Sequence, residues 1–518
     1  MTLLGNLIKQ GIRIRESLDQ DFTPPFELQK TEFRKLIISA RNTQFGKAYN
    51  FSGILQSLKK HDNNHFYKDF KAQVPVHDYN KMYEDWWYKC LEGEKDVTWH
   101  GAIKYFALSS GTSGASSKHI PVSLEMVKAI QKTSVRQILS LSRYEGLPSS
   151  VFEGGTLMVG GSTDLQDNGN YAEGDLSGIT TSRIPFWFQR FYKPGKAISR
   201  RKDWEDKLEQ MTLKAKDWNI TIIAGVPAWI TILIEKIIKH YNLKNIHEIW
   251  PNFEIYVHGG VAFEPYKKGF QKLLGRDINY IETYLASEGF IAFQANQGVD
   301  SMRLVLNNGI FYEFIPFPDE NFDEDGNMLG NPKTLMIDEV EENVEYALLI
   351  STCSGAWRYL IGDTIKFVSK ADSEIVITGR TKHFLSLCGE HLSVDNMNHA
   401  LLDVSNDMGF DLKEFTVLGV KHGSLFGHDW YVGTDNAEVD EAILKEKLDN
   451  RLKELNDDYK VERIADLKDI SVKVLANDVF IEFMEQNGKV GGQNKFPRVL
   501  KGDKQKAWLD FLAEKGFK

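Results

Sequence analysis

The most regular pattern in this chain is an alternation of short apolar runs with helical stretches between residues 155 and 285. The apolar runs are rich in β-branched residues and predict strands, while apolar residues at helical spacing predict helices between them. Strands that alternate with helices indicate an α/β architecture with a largely parallel sheet. The strands are expected at Thr156–Gly160, Ile220–Ala224, Glu254–His258 and Ile278–Thr283, and the helices at Trp204–Trp218 and Pro227–Tyr241.

Further along the chain the pattern changes to short strands separated by turns, which favours a β-rich subdomain. These strands are expected at Ala347–Ile350, Thr364–Val368 and Glu374–Thr378. A charged helical stretch, Val439–Leu455, then lies between the predicted strands Phe415–Val420 and Val472–Leu475. The pattern therefore predicts a large N-terminal α/β domain over residues 1–378 and a small α+β C-terminal domain over residues 379–518.

The composition excludes several classes of protein. Hydrophobic residues make up 42% of the 518 residues, which is typical of a folded protein. A net charge of −9 without a long Lys/Arg block argues against a nucleic-acid partner. Three scattered cysteines suit a reducing compartment, and the chain shows neither a signal-peptide pattern nor a membrane span. We therefore expect a cytoplasmic protein without a membrane partner, as a monomer or weak oligomer.

The segment Ser109–Lys118 reads Ser-Ser-Gly-Thr-Ser-Gly-Ala-Ser-Ser-Lys and follows the apolar run Ile103–Leu108, which predicts a buried strand. Closely spaced backbone N–H groups and hydroxyls, with a lysine at the end, suit the binding of a polyphosphate. The segment is not a Walker A loop, because Ser117 rather than glycine precedes Lys118. A flexible linker has a similar composition, so this loop alone does not decide the function.

Other candidate residues follow predicted strands. Gly259-Gly260 and the segment Tyr284–Glu288 each stand at a strand end, as the Ser109–Lys118 loop does. In α/β sheets ligands gather at the carboxyl ends of the strands, so we expect these segments to converge on one crevice. The further candidates downstream are Asp363 after a glycine, Arg380 after Gly379, and Lys495 in a glycine-rich loop.

The order and spacing of these segments resemble the adenylate-forming superfamily of acyl-CoA synthetases and firefly luciferase. Within that superfamily the chain is similar to the Gretchen Hagen family of plant acyl-acid amido synthetases, from about residue 20 to the end. The likeness is carried by Ser109–Lys118 continuing into His119-Ile120-Pro121, by Gly225-Val226-Pro227-Ala228-Trp229, by Trp250-Pro251-Asn252 and by Gln493–Arg498.

The resemblance implies an ATP-dependent, AMP-forming ligase. Such an enzyme activates a carboxylic acid to an acyl-adenylate, which an amino-acid amine then attacks, and it uses ATP and Mg²⁺. One alternative stays open, transfer of the acyl group to coenzyme A or another thiol, because the second nucleophile binds where the motifs are weakest. A second alternative is a catalytically silent nucleotide-binding protein, against which the presence of Glu288, Asp363 and Lys495 argues.

By the motif match, the resemblance also implies roles for the glycine- and serine-rich loop. Hydroxyl and backbone donors of the loop would hold phosphate oxygens, and its glycines would allow close approach. Lys118 would contact phosphate or anchor the loop to a neighbouring carboxylate. The loop residues concerned are Ser109, Ser110, Gly111, Thr112 and Ser113, with Thr112 also expected to take part in catalysis.

The remaining roles fall on residues far apart in the chain. Tyr284 would stack on adenine beside Gly259 and Gly260, and Ser287 would lie near the α-phosphate. Glu288 would bind Mg²⁺, Asp363 would accept hydrogen bonds from the ribose hydroxyls, and Lys495 would stabilise charge during adenylation. The segment Arg380–Lys382 would form the hinge of the C-terminal domain. The acyl pocket would involve Phe186, Trp187, Phe188 and Trp229, although core packing explains these aromatic residues equally well.

Overall fold

The architecture is taken from a computed structural model of the chain. The structure describes residues 23–517, apart from residues 59–64, 110–117, 318–320, 324–325, 382–384, 386, 388–389, 391, 423–424, 437, 464–466 and 489–494. Within these ranges the chain forms three β-sheets with helices packed on them.

The strands group into one large sheet and two smaller sheets. Their bounds are β1 (Tyr105–Ser109), β2 (Lys118–Val122), β3 (Gly155–Val159), β4 (Gln166–Asp167), β5 (Ala172–Gly174), β6 (Tyr192–Lys193), β7 (Ile220–Gly225), β8 (Ile255–Gly259), β9 (Asn279–Ala286), β10 (Gly289–Phe293), β11 (Met302–Leu304), β12 (Ile310–Pro316), β13 (Glu345–Thr352), β14 (Tyr359–Ser369), β15 (Glu374–Arg380), β16 (Glu414–His422), β17 (Leu425–Gly433), β18 (Leu467–Leu475) and β19 (Val499–Leu500).

The α-helices are spread along the whole described chain. Their bounds are α1 (Pro25–Ala40), α2 (Gln44–Ala48), α3 (Phe51–Ser57), α4 (His65–Gln73), α5 (Tyr79–Met82), α6 (Tyr88–Leu91), α7 (Leu124–Ser140), α8 (Leu176–Ser182), α9 (Lys196–Ser199), α10 (Trp204–Lys214), α11 (Pro227–Tyr241), α12 (Glu264–Lys272), α13 (Val394–Met408), α14 (Glu441–Leu455), α15 (Asp457–Glu462), α16 (Asn477–Gln486) and α17 (Gly502–Glu514). Among the residues described, no helix has the length and apolar character needed to cross a membrane.

The large sheet contains the predicted parallel block. Strands β6, β3, β7, β8 and β9 lie side by side and run parallel. The four predicted strands match β3, β7, β8 and β9 to within a few residues at each end, and β6 is an addition. Helix α11 covers this block with a buried apolar stripe. It begins with Pro227, whose fixed φ suits a first helical position, and it ends at Asn242 in the left-handed region. The predicted α/β architecture is therefore confirmed.

The predicted β-rich subdomain turns out to be the other half of the same sheet. Strand β10 pairs antiparallel with β9, and β11 joins β10 to β15, so the sheet continues through β14, β13 and β12. The pairing of Met302 with Ile375 joins segments more than seventy residues apart. Local periodicity carries no information on such a pairing, because it depends only on residues within one strand.

The C-terminal part forms a separate unit, made of the sheet β18-β17-β16-β19 and the helices α13 to α17. Alternate residues of its strands face two apolar clusters, since side chains alternate across a sheet. Val417 and Trp430 face one cluster, with α13 and α14. Leu418 and Tyr431 face the other, with α16 and α17. This confirms the predicted α+β character, while the domain boundary at residue 378 stays a prediction.

Candidate active site

A tight hairpin between β9 and β10 carries Glu288. Ala286 and Gly289 are paired across the hairpin, so Ser287 and Glu288 form its two-residue turn. Gly289 adopts φ of +150°, and a Cβ there would lie 2.9 Å from the Ile310 side chain. The turn is therefore packed against the core, and Glu288 is only 9% exposed although it stands at the tip of a hairpin.

Burial changes the acid–base properties of Glu288. Desolvation, as the largest cause, and the nearby carboxylate of Asp363 together raise the pKa of its carboxyl to about 7. The positive charges of Arg380 and Lys118 act in the opposite direction. A buried carboxyl that titrates near neutral pH is typical of functional sites.

Asp363 and Arg380 face each other on the neighbouring strands β14 and β15. Arg380 Nε lies 2.8 Å from Asp363 Oδ1, and the Tyr284 hydroxyl donates to Asp363 Oδ2 at 2.5 Å. An ionised carboxylate offers about four acceptor positions, so Asp363 can still accept hydrogen bonds from a ligand such as a vicinal diol. The structure places Arg380 at the end of β15, paired with Asp363, and the hinge beginning at Arg380 stays a prediction.

The glycine pair after β8 meets Lys495 from the C-terminal unit. A Cβ on Gly259 would lie 2.3 Å from the Thr283 carbonyl oxygen of the neighbouring strand, so only glycine fits this position. Gly260 has φ of +86°, and Lys495 Nζ donates a hydrogen bond to its carbonyl oxygen. Two segments more than two hundred residues apart in sequence therefore meet at this strand end.

The environment of Lys495 combines nearby protein atoms with the opposite charges of Arg380 and Asp363. Its side chain keeps contact with solvent, but the protein atoms around the ammonium desolvate it and lower its pKa to about 8. Repulsion by Arg380 contributes to this lower pKa, while attraction by Asp363 opposes it. Lys495, Arg380 and Asp363 thus lie close enough together for their charges to interact.

The ends of the serine- and glycine-rich loop are held by strand pairing. Ser109 at the end of β1 is the register partner of Lys118 at the start of β2. Lys118 Nζ lies 5.1 Å from the centre of the Tyr79 ring, and its charge acts on Glu288. Ser110, Gly111, Thr112 and Ser113 lie outside the described residues, as do the side chain of Ser109 and the residue Lys382.

A small group of polar residues beside Lys118 is not predicted by the sequence. The Tyr79 hydroxyl accepts a hydrogen bond from the His119 backbone N–H at 2.9 Å. His119 Nε2 lies 3.1 Å from a carboxylate oxygen of Glu173, which is buried. Glu173 lies on β5, which pairs with β1. Tyr79 is separated from His119 by forty residues, so no local pattern points to this contact.

The aromatic residues considered for an acyl pocket do not converge. Phe186 is 88% exposed, and Phe188 packs against Phe191 with ring centres 6.3 Å apart. Trp229 is buried in the apolar cluster of the C-terminal unit. The side chain of Trp187 lies outside the described residues. For Trp229, core packing is the interpretation that the contacts favour.

The carboxylate of Glu288 suits a magnesium ion only when a phosphate ligand supplies further oxygen atoms. Within the described ranges no group of three or more His, Cys, Asp or Glu side chains could hold a metal ion. Mg²⁺ is commonly bound by one or two carboxylates together with substrate phosphates and water. Glu288 alone therefore fits such an ion when a polyphosphate supplies the remaining oxygens.

Comparison with solved structures agrees with this architecture. The GH3.15 acyl acid amido synthetase superimposes with a TM-score of 0.75 and 15% sequence identity, covering 94% of this chain and 93% of that chain. Since the sequence identity is low, this likeness establishes the fold.

Two curated proteins are similar over parts of the chain. A jasmonoyl–L-amino acid synthetase from Nicotiana attenuata is 27% identical over 212 residues, 39% of this chain and 35% of that protein. An indole-3-acetic acid-amido synthetase from Arabidopsis thaliana is 23% identical over 280 residues, 49% of this chain and 45% of that protein. The chain thus aligns with less than half the length of either relative.

Family models match most of the chain in the expected order. The GH3 family N-terminal domain matches residues 14–208, the central domain residues 303–378 and the C-terminal domain residues 395–504. These ranges include the serine- and glycine-rich loop, Asp363 and Lys495. The chain therefore belongs to the GH3 family.

Proposed function

We propose that this protein is an ATP-dependent acyl-acid amido synthetase. It activates a carboxylic acid to an acyl-adenylate and then joins the acyl group to an amino acid or another amine. Membership of the GH3 family and the names of the two curated relatives support the reaction class. The observation that carries the proposal is the hydrogen bond from Lys495 to the Gly260 carbonyl, which brings a cation of the C-terminal unit to the crevice of Asp363 and Glu288.

The first half-reaction needs positioning and charge stabilisation. As the acid attacks the α-phosphorus, negative charge grows on the phosphoryl oxygens and on the departing pyrophosphate. The ammonium of Lys495 would stabilise this charge, and its partial desolvation by protein atoms would strengthen the interaction. Lys118 would act from the other side of the crevice, next to the loop end at Ser109.

The nucleoside would be held by residues at the strand ends next to Lys495. Tyr284 and Gly260 would border the adenine, and Asp363 would accept hydrogen bonds from the ribose hydroxyls. Arg380 orients the Asp363 carboxylate through their ion pair, and a carboxylate held in this way would accept from two hydroxyl donors. Mg²⁺ on Glu288 would neutralise further phosphate charge.

The test is acid-dependent exchange of radiolabelled pyrophosphate into ATP, with purified protein, Mg·ATP and a broad panel of carboxylic acids. At least one acid is expected to support exchange. Lys495→Ala should lower the exchange rate by about a hundredfold or more, the typical effect of losing one group that stabilises transition-state charge. Lys506→Ala is the matched control, because Lys506 belongs to the same unit and its side chain is 77% exposed.

Mass spectrometry of the products then identifies the second nucleophile. With the active acid, an amino-acid panel should yield an amide, and coenzyme A should yield no thioester. If a thioester forms and no amide is detected, the second step of the reaction is transfer of the acyl group to a thiol. A complete lack of exchange with every acid, despite nucleotide binding, would favour a silent nucleotide-binding protein.

A further inference from the structure

A buried group of polar side chains joins the C-terminal unit to helix α12. Arg498 and Glu414 are 9% and 8% exposed, and Arg498 Nη1 donates to Glu414 Oε1. Across the junction, Arg498 Nη2 donates to the Tyr266 hydroxyl at 3.1 Å. That hydroxyl in turn donates to Glu414 Oε2 at 3.2 Å. The three side chains therefore form a closed ring of hydrogen bonds between the two parts of the molecule.

The Tyr266 hydroxyl completes the pairing of two buried charges. Burying an ion pair is unfavourable unless its remaining donors and acceptors are satisfied. Inside the C-terminal unit, Arg498 also donates to the Phe415 carbonyl at 3.1 Å and lies 4.2 Å above the Phe415 ring. Only Tyr266 belongs to the N-terminal part, so its two hydrogen bonds exist only while the parts are docked.

Arg498 is rigidly connected to Lys495. The Arg498 carbonyl accepts from the Val417 N–H at 2.9 Å, and the Pro497 carbonyl accepts from the Thr416 hydroxyl at 2.8 Å. Phe496 is 3% exposed and packs against Trp508, with ring centres 5.1 Å apart. The three residues after Lys495 are therefore fixed on the C-terminal sheet, and docking of Arg498 on Tyr266 determines where Lys495 lies.

We propose that Tyr266, Glu414 and Arg498 are positioning residues that hold the C-terminal unit in the orientation in which Lys495 reaches Gly260. This inference rests on the proposed function for the role of Lys495, but the docking itself is independent of any reaction. Without the Tyr266 hydroxyl, Arg498 Nη2 and Glu414 Oε2 each lose one hydrogen bond in the docked state. The undocked state loses neither bond, so the substitution destabilises only the docked state. Undocking should therefore become about 5- to 50-fold more frequent.

Trp229 provides a readout of docking that does not depend on activity. It lies on α11 of the N-terminal part, is 2% exposed, and is buried among side chains of the C-terminal unit. Undocking exposes it, so its rate of oxidation by hydroxyl radicals follows the undocked fraction. Trp250 is the internal reference, because it is fully buried within the N-terminal part and bonded to the Ala215 carbonyl.

The experiment compares the full-length protein with Tyr266→Phe, and uses Tyr241→Phe as matched control. The Tyr241→Phe substitution removes a hydroxyl whose hydrogen bond, to the Leu213 carbonyl, lies within the N-terminal part. In Tyr266→Phe, oxidation of Trp229 should rise about 5- to 50-fold while that of Trp250 stays unchanged. Tyr241→Phe should match the wild type at both tryptophans. An unchanged Trp229 rate in Tyr266→Phe would overturn the proposal, whether or not any acid supports adenylation.

The rates of the two half-reactions distinguish a positioning role of Tyr266 from a general loss of structure. In Tyr266→Phe the rate of ATP–pyrophosphate exchange should fall relative to amide formation from supplied acyl-adenylate, with the KM for the acid within about twofold. An equal fall in both half-reactions together with faster oxidation of Trp250 indicates a merely structural role and overturns the proposal. Absence of exchange in the wild type would contradict the proposed function and leave the footprinting result standing.

Discussion

At the scale of single residues, two titrating groups decide the chemistry of the crevice. Burial raises the pKa of Glu288 to about 7, and desolvation lowers the pKa of Lys495 to about 8. In the proposed reaction each group would act in its charged form, Glu288 as a metal ligand and Lys495 as a stabiliser of phosphate charge. Because the two pKa values lie close together, both charges coexist over only a narrow range of pH.

This predicts a bell-shaped pH dependence of kcat/KM for adenylation. Activity should rise as the pH passes about 7, where Glu288 loses its proton, and fall above about 8, where Lys495 loses its proton. The measurement is pyrophosphate exchange at low ATP from pH 5.5 to 9.5. In Lys495→Arg the fall of kcat/KM above about pH 8 should become smaller, because a guanidinium stays charged throughout this range. A flat profile across this range would contradict the assignment of either role.

Glu288 should also lower stability when no ligand is bound. Its folded-state pKa is raised above the unfolded value, so ionisation opposes folding, and the penalty is fully present above about pH 7 and lost towards pH 4.5. Glu288→Gln should raise the free energy of unfolding by about 1–3 kcal/mol at pH 8 and change it little at pH 4.5. Denaturant titrations without Mg²⁺ at both pH values test this. Equal effects at the two pH values would contradict the mechanism.

At the scale of elements, the strand ends place the site. The sequence predicts the parallel strands β3, β7, β8 and β9 and the bounds of helix α11, because these elements have strong internal periodicity. It also predicts that Gly260 and Glu288 follow such strands. It does not predict the partners of β11 or the contact of Tyr79 with His119, since both depend on pairing between distant segments. The roles of Ser110, Gly111, Thr112 and Ser113 stay predictions.

The end of β8 allows a direct test of close approach. A Cβ on Gly260 would lie 3.0 Å from Lys495 Cε, and the φ of +86° is strained for alanine. Gly260→Ala should lower pyrophosphate exchange by about tenfold or more and destabilise the fold by about 1 kcal/mol or more. Gly298→Ala is the matched control: φ there is +74° with no atom within 4 Å of the added Cβ. It should lose similar stability and keep its activity.

At the scale of the whole molecule, the junction between the two parts combines a buried polar ring with ion pairs at its rim. Lys272 pairs with Asp411 across the junction; the Lys272 side chain is 62% exposed and that of Asp411 is 19% exposed. Exposed ion pairs contribute about 0–1 kcal/mol. The orientation of the C-terminal unit should therefore depend on Tyr266 and on the apolar packing of Trp229 more than on the rim charges.

Removal of the rim pair should accordingly have little effect. Lys272→Ala is expected to change the oxidation rate of Trp229 and the rate of pyrophosphate exchange by less than about threefold, because water replaces the lost partner. Footprinting at 50 mM and 500 mM salt is a complementary measurement, since screening weakens exposed pairs more than buried ones. A larger effect than that of Tyr266→Phe would show that the rim charges control docking.

The register pairing of Ser109 with Lys118 has a further consequence for ligand affinity. Pairing of β1 with β2 already brings the two ends of segment 110–117 together. The entropic cost of closing this loop is therefore part of the free energy of folding and not of ligand binding. Closure entropy grows only slowly with length, by about 0.6 kcal/mol for each doubling. Insertions in this segment should therefore leave the stability of the protein almost unchanged, and under the proposed function their effect should appear in nucleotide affinity.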